Sequence, residues 1–326
     1  MTTHAEDRNG ILRALNAGSD LNQVADLIEL CFRGAMDDDG YDYINYLRRM
    51  AKDVASSYWG LGNLQPKFTP MQGFVYIVGG KLVGNLSIIP FRKSGQVIYL
   101  IANVAVHPDY RRAGIARKLT SKALEYIQSR SNLGAWLQVR DDNQAAQALY
   151  LSMGFKERIR RSTWTFKPRN SKVSVSEQKM LIRPTKMSDW QYEIDLLNSI
   201  YPDLLRWNLG FSIDRFNPSL RAAINRFIKG QIVKNYAVEK GGNNKGFFVF
   251  EKSSLFSDIL WIAPKDNDEE TIPQILNHLV NNLKTRKPFS FNYPAYRSED
   301  LLTYLGFSKN HTLIWMEEIE PKNMAD

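Results

Sequence analysis

Residues 104–116, Val-Ala-Val-His-Pro-Asp-Tyr-Arg-Arg-Ala-Gly-Ile-Ala, read as an apolar strand, a turn, and a helix that opens on closely spaced small residues. The first four N–H groups of a helix have no intrahelical partner and sit at the positive end of its macrodipole. Such a turn suits an anion, and a pyrophosphate in particular. Gly114 and Ala116 contribute by what they lack, since a bulky side chain at either position would hold phosphates away from the amides. Arg111, Arg112, Arg117 and Lys118 add four cations around the same turn. The following helix carries Leu119, Ala123, Tyr126 and Ile127 on one face, which completes the strand-loop-helix setting that an anion site needs.

A second segment follows. Ala135 to Val139 reads as a short buried strand, Asp141-Asp142-Asn143 as a helix cap, and Gln144 to Met153 as a helix ended by Gly154, with Phe155 beginning another strand.

The order Arg111-Arg112-Ala113-Gly114-Ile115-Ala116 resembles the R/Q-x-x-G-x-G/A signature of the GNAT N-acetyltransferase superfamily, with alanine at a last position that the pattern allows. The string Asn143-x-x-Ala146-x-x-Leu149-Tyr150-x-x-x-Gly154-Phe155 resembles the segment that follows the cofactor helix in that family. The resemblance implies an acetyl-CoA site: backbone N–H groups from Arg112 to Arg117, with Arg111 beside them, on the pyrophosphate; Val104 and Val106 pairing with pantetheine as a strand would; Asn143 against the pantetheine region. It also implies that Tyr150 is the general acid for the departing thiolate. The chemistry is consistent with a tyrosine, because a phenol with an ordinary pKa of about 10 can protonate a thiolate while staying protonated at neutral pH.

The acceptor would be an amine, on a small molecule or a protein, that attacks the thioester directly. Many members of the family place a glutamate on the strand before the phosphate turn, but between Val97 and Val106 the only polar side chains are Tyr99 and Asn103. Deprotonation then falls to an ordered water or to a carboxylate from elsewhere. The acidic, tyrosine-rich segment Met36 to Tyr46 joins the first two expected helices, where GNAT domains cover the acceptor, and it could attract a cationic amine.

At 326 residues and 44% hydrophobic content the chain can build two ordinary cores. No run of about 18 apolar residues is present to span a membrane, and Met1 to Gly10 is polar, so a cytoplasmic protein with no membrane partner is expected. Cys31 is the only cysteine and sits in an apolar helical stripe, which predicts a packed core thiol; the four histidines are scattered, and no metal is expected. The net charge of +9 is uneven: residues 1–170 hold 23 Lys+Arg against 15 Asp+Glu, the remainder 20 against 19. A phosphate-bearing cosubstrate explains part of that bias. The basic residues form no recognition stripe with interleaved aromatics, which argues against nucleic acid.

The same order of elements recurs on either side of a polar stretch, Lys167 to Lys179. Arg13 with Ser19-Asp20 precedes one amphipathic helix (Leu21, Val24, Leu27, Ile28, Cys31), and Arg183 with Ser188-Asp189 precedes another (Trp190, Ile194, Leu197, Ile200), each pair reading as a cap. Gly306-Phe307 echoes Gly154-Phe155. The expected fold is α+β: two tandem GNAT-like domains, each a mixed, mostly antiparallel sheet flanked by helices. The expected division is 1–168 for the acetyl-CoA-binding catalytic domain, 169–179 for a linker and 180–326 for a degenerate copy. In that copy the turn after Ile262-Ala263-Pro264 has no glycine and carries Asp266, Asp268, Glu269 and Glu270, and the counterpart of Tyr150 is Leu302. Phosphate would be repelled there. The rival expectation is a non-catalytic acyl-CoA-binding module that scaffolds a partner.

Overall fold

The computed structural model describes residues 10–34, 36, 38–57, 72–93, 95–131, 133–168, 180–211, 213–254, 256–265, 268–283 and 285–319. Asp37, Asp266 and the expected linker 169–179 lie outside them. The chain divides into two compact units, residues 1–159 with 314–326, and residues 160–313.

In the first unit, β1 (Ile11–Ala14) leads into α1 (Ala17–Phe32) and α2 (Asp38–Ser57), followed by β2 (Gln72–Val78), β3 (Lys81–Lys93) and β4 (Gln96–Val106). Then come α3 (Ile115–Gln128), β5 (Ala135–Arg140), α4 (Gln144–Leu151) and the start of β6 (Phe155–Phe166). Strands β1 to β4 pair antiparallel in sequence order, and β5 joins β4 in parallel. The end of the last strand, β12 (Ser308–Glu318), stands between β5 and β6. One face of this sheet buries α3 through Leu119, Ala123 and Ile127 against Val83, Leu86 and Ile101. The other buries α1 and α2 through Leu21, Val24, Ile28, Ile44 and Leu47 against Val75, Leu82 and Ala105. Apolar side chains recur every three or four residues on the helices, so each helix offers one stripe to a sheet face.

The second unit repeats this order. It holds β7 (Leu181–Pro184), α5 (Trp190–Ile200), α6 (Asp203–Leu209), α7 (Ile213–Phe216), α8 (Leu220–Ile228), β8 (Val233–Lys240), β9 (Asn243–Glu251), β10 (Asp258–Pro264), α9 (Asp268–Asn277), β11 (Phe289–Pro294) and α10 (Glu299–Tyr304). Again the first four strands pair antiparallel and β11 joins β10 in parallel. Here the end of β6 lies beside β11, antiparallel to it, from Phe166 opposite Phe289 to Arg161 opposite Pro294. Each unit is thus an α+β GNAT-like domain with a mixed, mostly antiparallel sheet; the first takes a strand segment from the C-terminal end of the chain, and the second is continuous in sequence from Arg160, within β6.

The capping expectations change in detail. Asn16, not Ser19-Asp20, caps α1, accepting from the Gly18 N–H. Asp20 lies inside the helix and binds the Arg13 guanidinium through both oxygens at 2.6 and 2.9 Å. Its counterpart Asp189 does the same with Arg183 at 2.7 and 3.0 Å. Ser-Asp therefore marks a bidentate ion pair tying strand to helix in both units, with the carboxylate pKa held below its ordinary range. The segment from Met36 to Tyr46 is mostly the first turns of α2 rather than a loop. Helices α6 to α8 carry no expectation from the sequence.

Candidate acetyl-CoA site

Strands β4 and β5 pair only from Tyr99 to Ile101 opposite Ala135 to Leu137. Beyond Ile101 they part. The cause lies partly in a bulge on β4: Ser87 pairs with Ala102 but Asn85 with Ala105, so β4 carries one residue more than β3 across this interval. Asn103 takes φ +53°, a left-handed conformation that asparagine tolerates better than most residues. Its carbonyl accepts from Asn85 Nδ2 at 3.0 Å and its Nδ2 donates to Tyr43 Oη at 2.8 Å. Burial pushes the Tyr43 phenol up to about 12, while the Asn103 bond opposes the shift. The two polar positions of β4 thus separate: Tyr99 is core, and Asn103 ties the bulge to α2.

At the end of β4 the chain turns through Pro108–Tyr110 into α3. Arg112 and Gly114 both have positive φ, +64° and +76°, with Ala113 between them. Left-handed positions in such a turn aim successive N–H groups into one concavity. Gly114 is the N-cap of α3 and supplies no side-chain cap, and the first turn of α3 contains no acid. The first N–H groups of α3 are therefore left for something else. The helix is seated closely on the sheet, since a Cβ at Gly84 would come within 2.8 Å of Ile115 Cγ2.

A cleft of about 750 Å³ opens in front of this turn. Val104, Val106, Arg111, Arg112, Gly114, Ile115, Ala116, Arg117, Asn143 and Tyr150 all line it, which brings nearly every sequence-predicted site residue together. Ala113 packs against the core instead. Lys118 points away, its ammonium 5.5 Å from the Tyr76 ring centre. Arg140, which the sequence reading missed, lines the cleft while binding Asp142 at 2.7 Å. Asn143 Oδ1 caps α4 by accepting from the Ala146 N–H at 3.1 Å. Arg117 reaches Ser152 Oγ at 2.7 Å, tying α3 to the end of α4.

The backbone of Val106 is partly engaged, because its carbonyl accepts from Arg111 Nε at 3.2 Å and from Cys31 Sγ at 3.3 Å. Cys31 is thus half-buried on the cleft wall rather than sealed in the core, and burial pushes its thiol above the ordinary range. Tyr150 is 6% exposed, lies edge-on to Phe155, and has its pKa raised by burial alone. It is protonated at neutral pH.

The corresponding place in the second unit is built differently. Strands β10 and β11 also part, after Ile259 opposite Ser290, but the N-terminus of α9 carries Asp268, Glu269 and Glu270. Asp268 is buried and accepts from Arg297 at 2.6 and 2.7 Å, Tyr293 Oη at 2.9 Å and Ser298 Oγ at 2.6 Å. These bonds hold its pKa below the ordinary range despite burial. Tyr201 Oη accepts the Ile262 N–H at 3.2 Å. Leu302 is fully buried.

Residues 27–155 match the profile of the Acetyltransferase (GNAT) family. A stretch of 55 residues is 46% identical to the [ribosomal protein bS18]-alanine N-acetyltransferase of Escherichia coli K12, covering 17% of this chain and 37% of that protein. A stretch of 78 residues is 37% identical to N-alpha-acetyltransferase RimI of Mycobacterium tuberculosis, covering 24% and 48% respectively. The chain therefore spans well under two thirds of the curated relatives it matches. Its fold is similar to the crystal structure of a GCN5-related N-acetyltransferase from Sphaerobacter thermophilus, at 13% identity over 95% of both chains with a TM-score of 0.56. The similarity to the GNAT family is carried by residues 27–155, and the likeness to the Sphaerobacter structure over the whole chain is one of fold.

Proposed function

We propose that the first unit is an acetyl-CoA-dependent N-acetyltransferase that moves the acetyl group to a primary amine by direct attack. The observation that carries this reading is an α3 N-terminus with neither a side-chain cap nor an acid, opening on the cleft that also holds Tyr150. Backbone N–H groups from Arg112 to Arg117 and the nearby guanidinium groups hold the pyrophosphate. The parted edge of β4 at Val104 and Val106 pairs with pantetheine, and Arg111 Nε and Cys31 Sγ release the Val106 carbonyl as it does so. Asn143 keeps its Oδ1 on the α4 cap and turns its Nδ2 toward the ligand.

Acetyl-CoA supplies an activated thioester. As the amine forms its bond to the acyl carbon, the carbon–sulfur bond breaks and Tyr150 gives its proton to the departing thiolate. The amine loses its own proton to water, because β4 carries no carboxylate. The curated relatives are named for a protein alanine or an α-amino group, so a protein N-terminal amine is the first acceptor class to test. The second unit does not bind acetyl-CoA. Asp268 already places a carboxylate at the α9 N-terminus, where a phosphate would otherwise sit.

Thiol release from acetyl-CoA across a panel of amines and N-terminal peptides tests the reading. Turnover above hydrolysis with at least one acceptor class is expected. Saturable acetyl-CoA binding without such turnover anywhere in the panel would favour a non-catalytic acyl-CoA module, and absence of binding would overturn the site assignment itself.

A further inference from the structure

Helix α8 is turned inside out. Leu220, Ile224, Phe227 and Ile228 recur at the spacing of one helix face, and they are 77, 52, 86 and 75% exposed. Only Ala222 and Arg226 are even partly buried on this helix. Its orientation is fixed rather than incidental. Ser219 caps the first turn by accepting from the Ala222 N–H at 3.3 Å, and Arg226 Nη1 donates to the carbonyls of Arg215 and Asn217, both at 2.8 Å. The guanidinium that faces inward anchors the helix while the apolar stripe faces out. Ile232, 48% exposed, follows just beyond the helix.

The charge along the chain from Arg215 to Val238 has one sign, although the exposed Asp214 stands just before this stretch and Arg215 pairs with Glu251. From Arg215 to Val238 the chain has five cations and no carboxylate, and Arg221, Lys229 and Lys234 are exposed. A second copy of the chain would set this cationic rim against its own duplicate, which like charges oppose. A surface that is both apolar and anionic satisfies both halves of the pattern: acyl chains take the stripe, and headgroup phosphates take the cations.

We propose that α8 is a peripheral docking helix for an anionic lipid surface. This departs from the sequence expectation of no membrane partner, which rested on the lack of a spanning segment. A helix lying in the interface needs none. The inference is independent of the acetyl-transfer reading, since α8 contributes nothing to the cleft.

Sedimentation of the full chain with phosphatidylglycerol-containing vesicles, compared with pure phosphatidylcholine vesicles, tests it. Binding to the anionic vesicles is expected, weakened by salt. Phe227→Ser should reduce it by about tenfold or more. Replacing Arg221, Lys229 and Lys234 by glutamine should reduce it by roughly fivefold per charge. The variants should keep the wild-type circular dichroism and acetyl-CoA affinity, because the altered side chains are exposed and outside the site. Three results would overturn the proposal: no partition of the folded wild type onto anionic vesicles, equal partition onto neutral ones, or concentration-dependent dimerisation abolished by Phe227→Ser in place of vesicle binding. Capture of an acidic amphipathic peptide without vesicle binding would likewise reassign the face to a protein partner.

Discussion

Gly114→Ala and Gly114→Glu separate backbone strain from ligand exclusion at the phosphate turn. A Cβ built on Gly114 meets no atom within 4 Å, so neither substitution clashes with the protein. Both must hold φ near +76°, which costs an L-residue about 1–2 kcal/mol. For a domain of this size that lowers Tm by roughly 2–8 °C, and the fold survives. Glutamate also places a carboxylate in the open space before the α3 amides. At a separation of about 4 Å and an effective dielectric near 20, one contact with a phosphate charge costs about 4 kcal/mol, or roughly 10³ in affinity. Calorimetry with acetyl-CoA on the full chain should therefore show modest weakening for alanine and no detectable binding for glutamate. Gly84→Ala provides the contrast. Its Cβ would press to 2.8 Å from Ile115 Cγ2 and 3.0 Å from Tyr76 Cβ, so stability and binding should fall together as α3 is pushed off β3. A folded Gly114→Glu variant that binds acetyl-CoA with near wild-type affinity would refute the assignment of this turn.

Tyr150→Phe should leave acetyl-CoA affinity little changed and lower turnover by about 10²–10⁴-fold, and the wild-type kcat/KM profile should show no loss of this acid through neutral pH, because burial raises its pKa; unchanged turnover with chemistry rate-limiting would exclude it as the proton donor. One acetyl-CoA should bind per chain, and binding to a Gly114→Glu chain would transfer the site to the second unit. Asp268→Asn should cost about 2–3 kcal/mol by denaturant unfolding at neutral pH, with the difference vanishing as pH falls through the depressed pKa, since that carboxylate stabilises only while ionised. Glu193 behaves in the opposite sense: it is fully buried in α5 and its pKa is pushed up to about 8 by burial and by Asp189. Its folded-state pKa exceeds the unfolded value, so its stability contribution is full at acid pH and is lost as pH rises from the ordinary carboxylate range through about 8. Glu193→Gln should flatten that decline by a few kcal/mol, and an unaltered pH slope would count against a buried, protonated carboxyl.

The sequence determined the elements whose signals are local. The run from Val104 to Ala116 predicted strand, turn and helix, because glycine at a left-handed position, proline in a turn and a 3.6-residue apolar period act within a few residues of themselves. The same locality made the second unit's acidic helix start legible. The repeated Arg and Ser-Asp were visible too, but their full meaning was not: Asp20 and Asp189 carry ion pairs across a strand and a helix, Asn16 caps α1, and Asp189 stands at the N-cap of α5, accepting the Lys186 N–H. Tertiary structure alone decided that Lys118 turns away from the turn while Arg140 joins the cleft, since neighbours on one helix or strand differ only in the direction the fold gives them. It also decided that Asn103 accommodates a bulge that parts β4 from β5, a mismatch of register between two strands that neither strand shows by itself. The strand segment that the first unit takes from the C-terminal end of the chain was hidden for the same reason. An apolar alternation specifies a strand and its buried face, but pairing partners are chosen by which sheet edge the folded chain brings alongside.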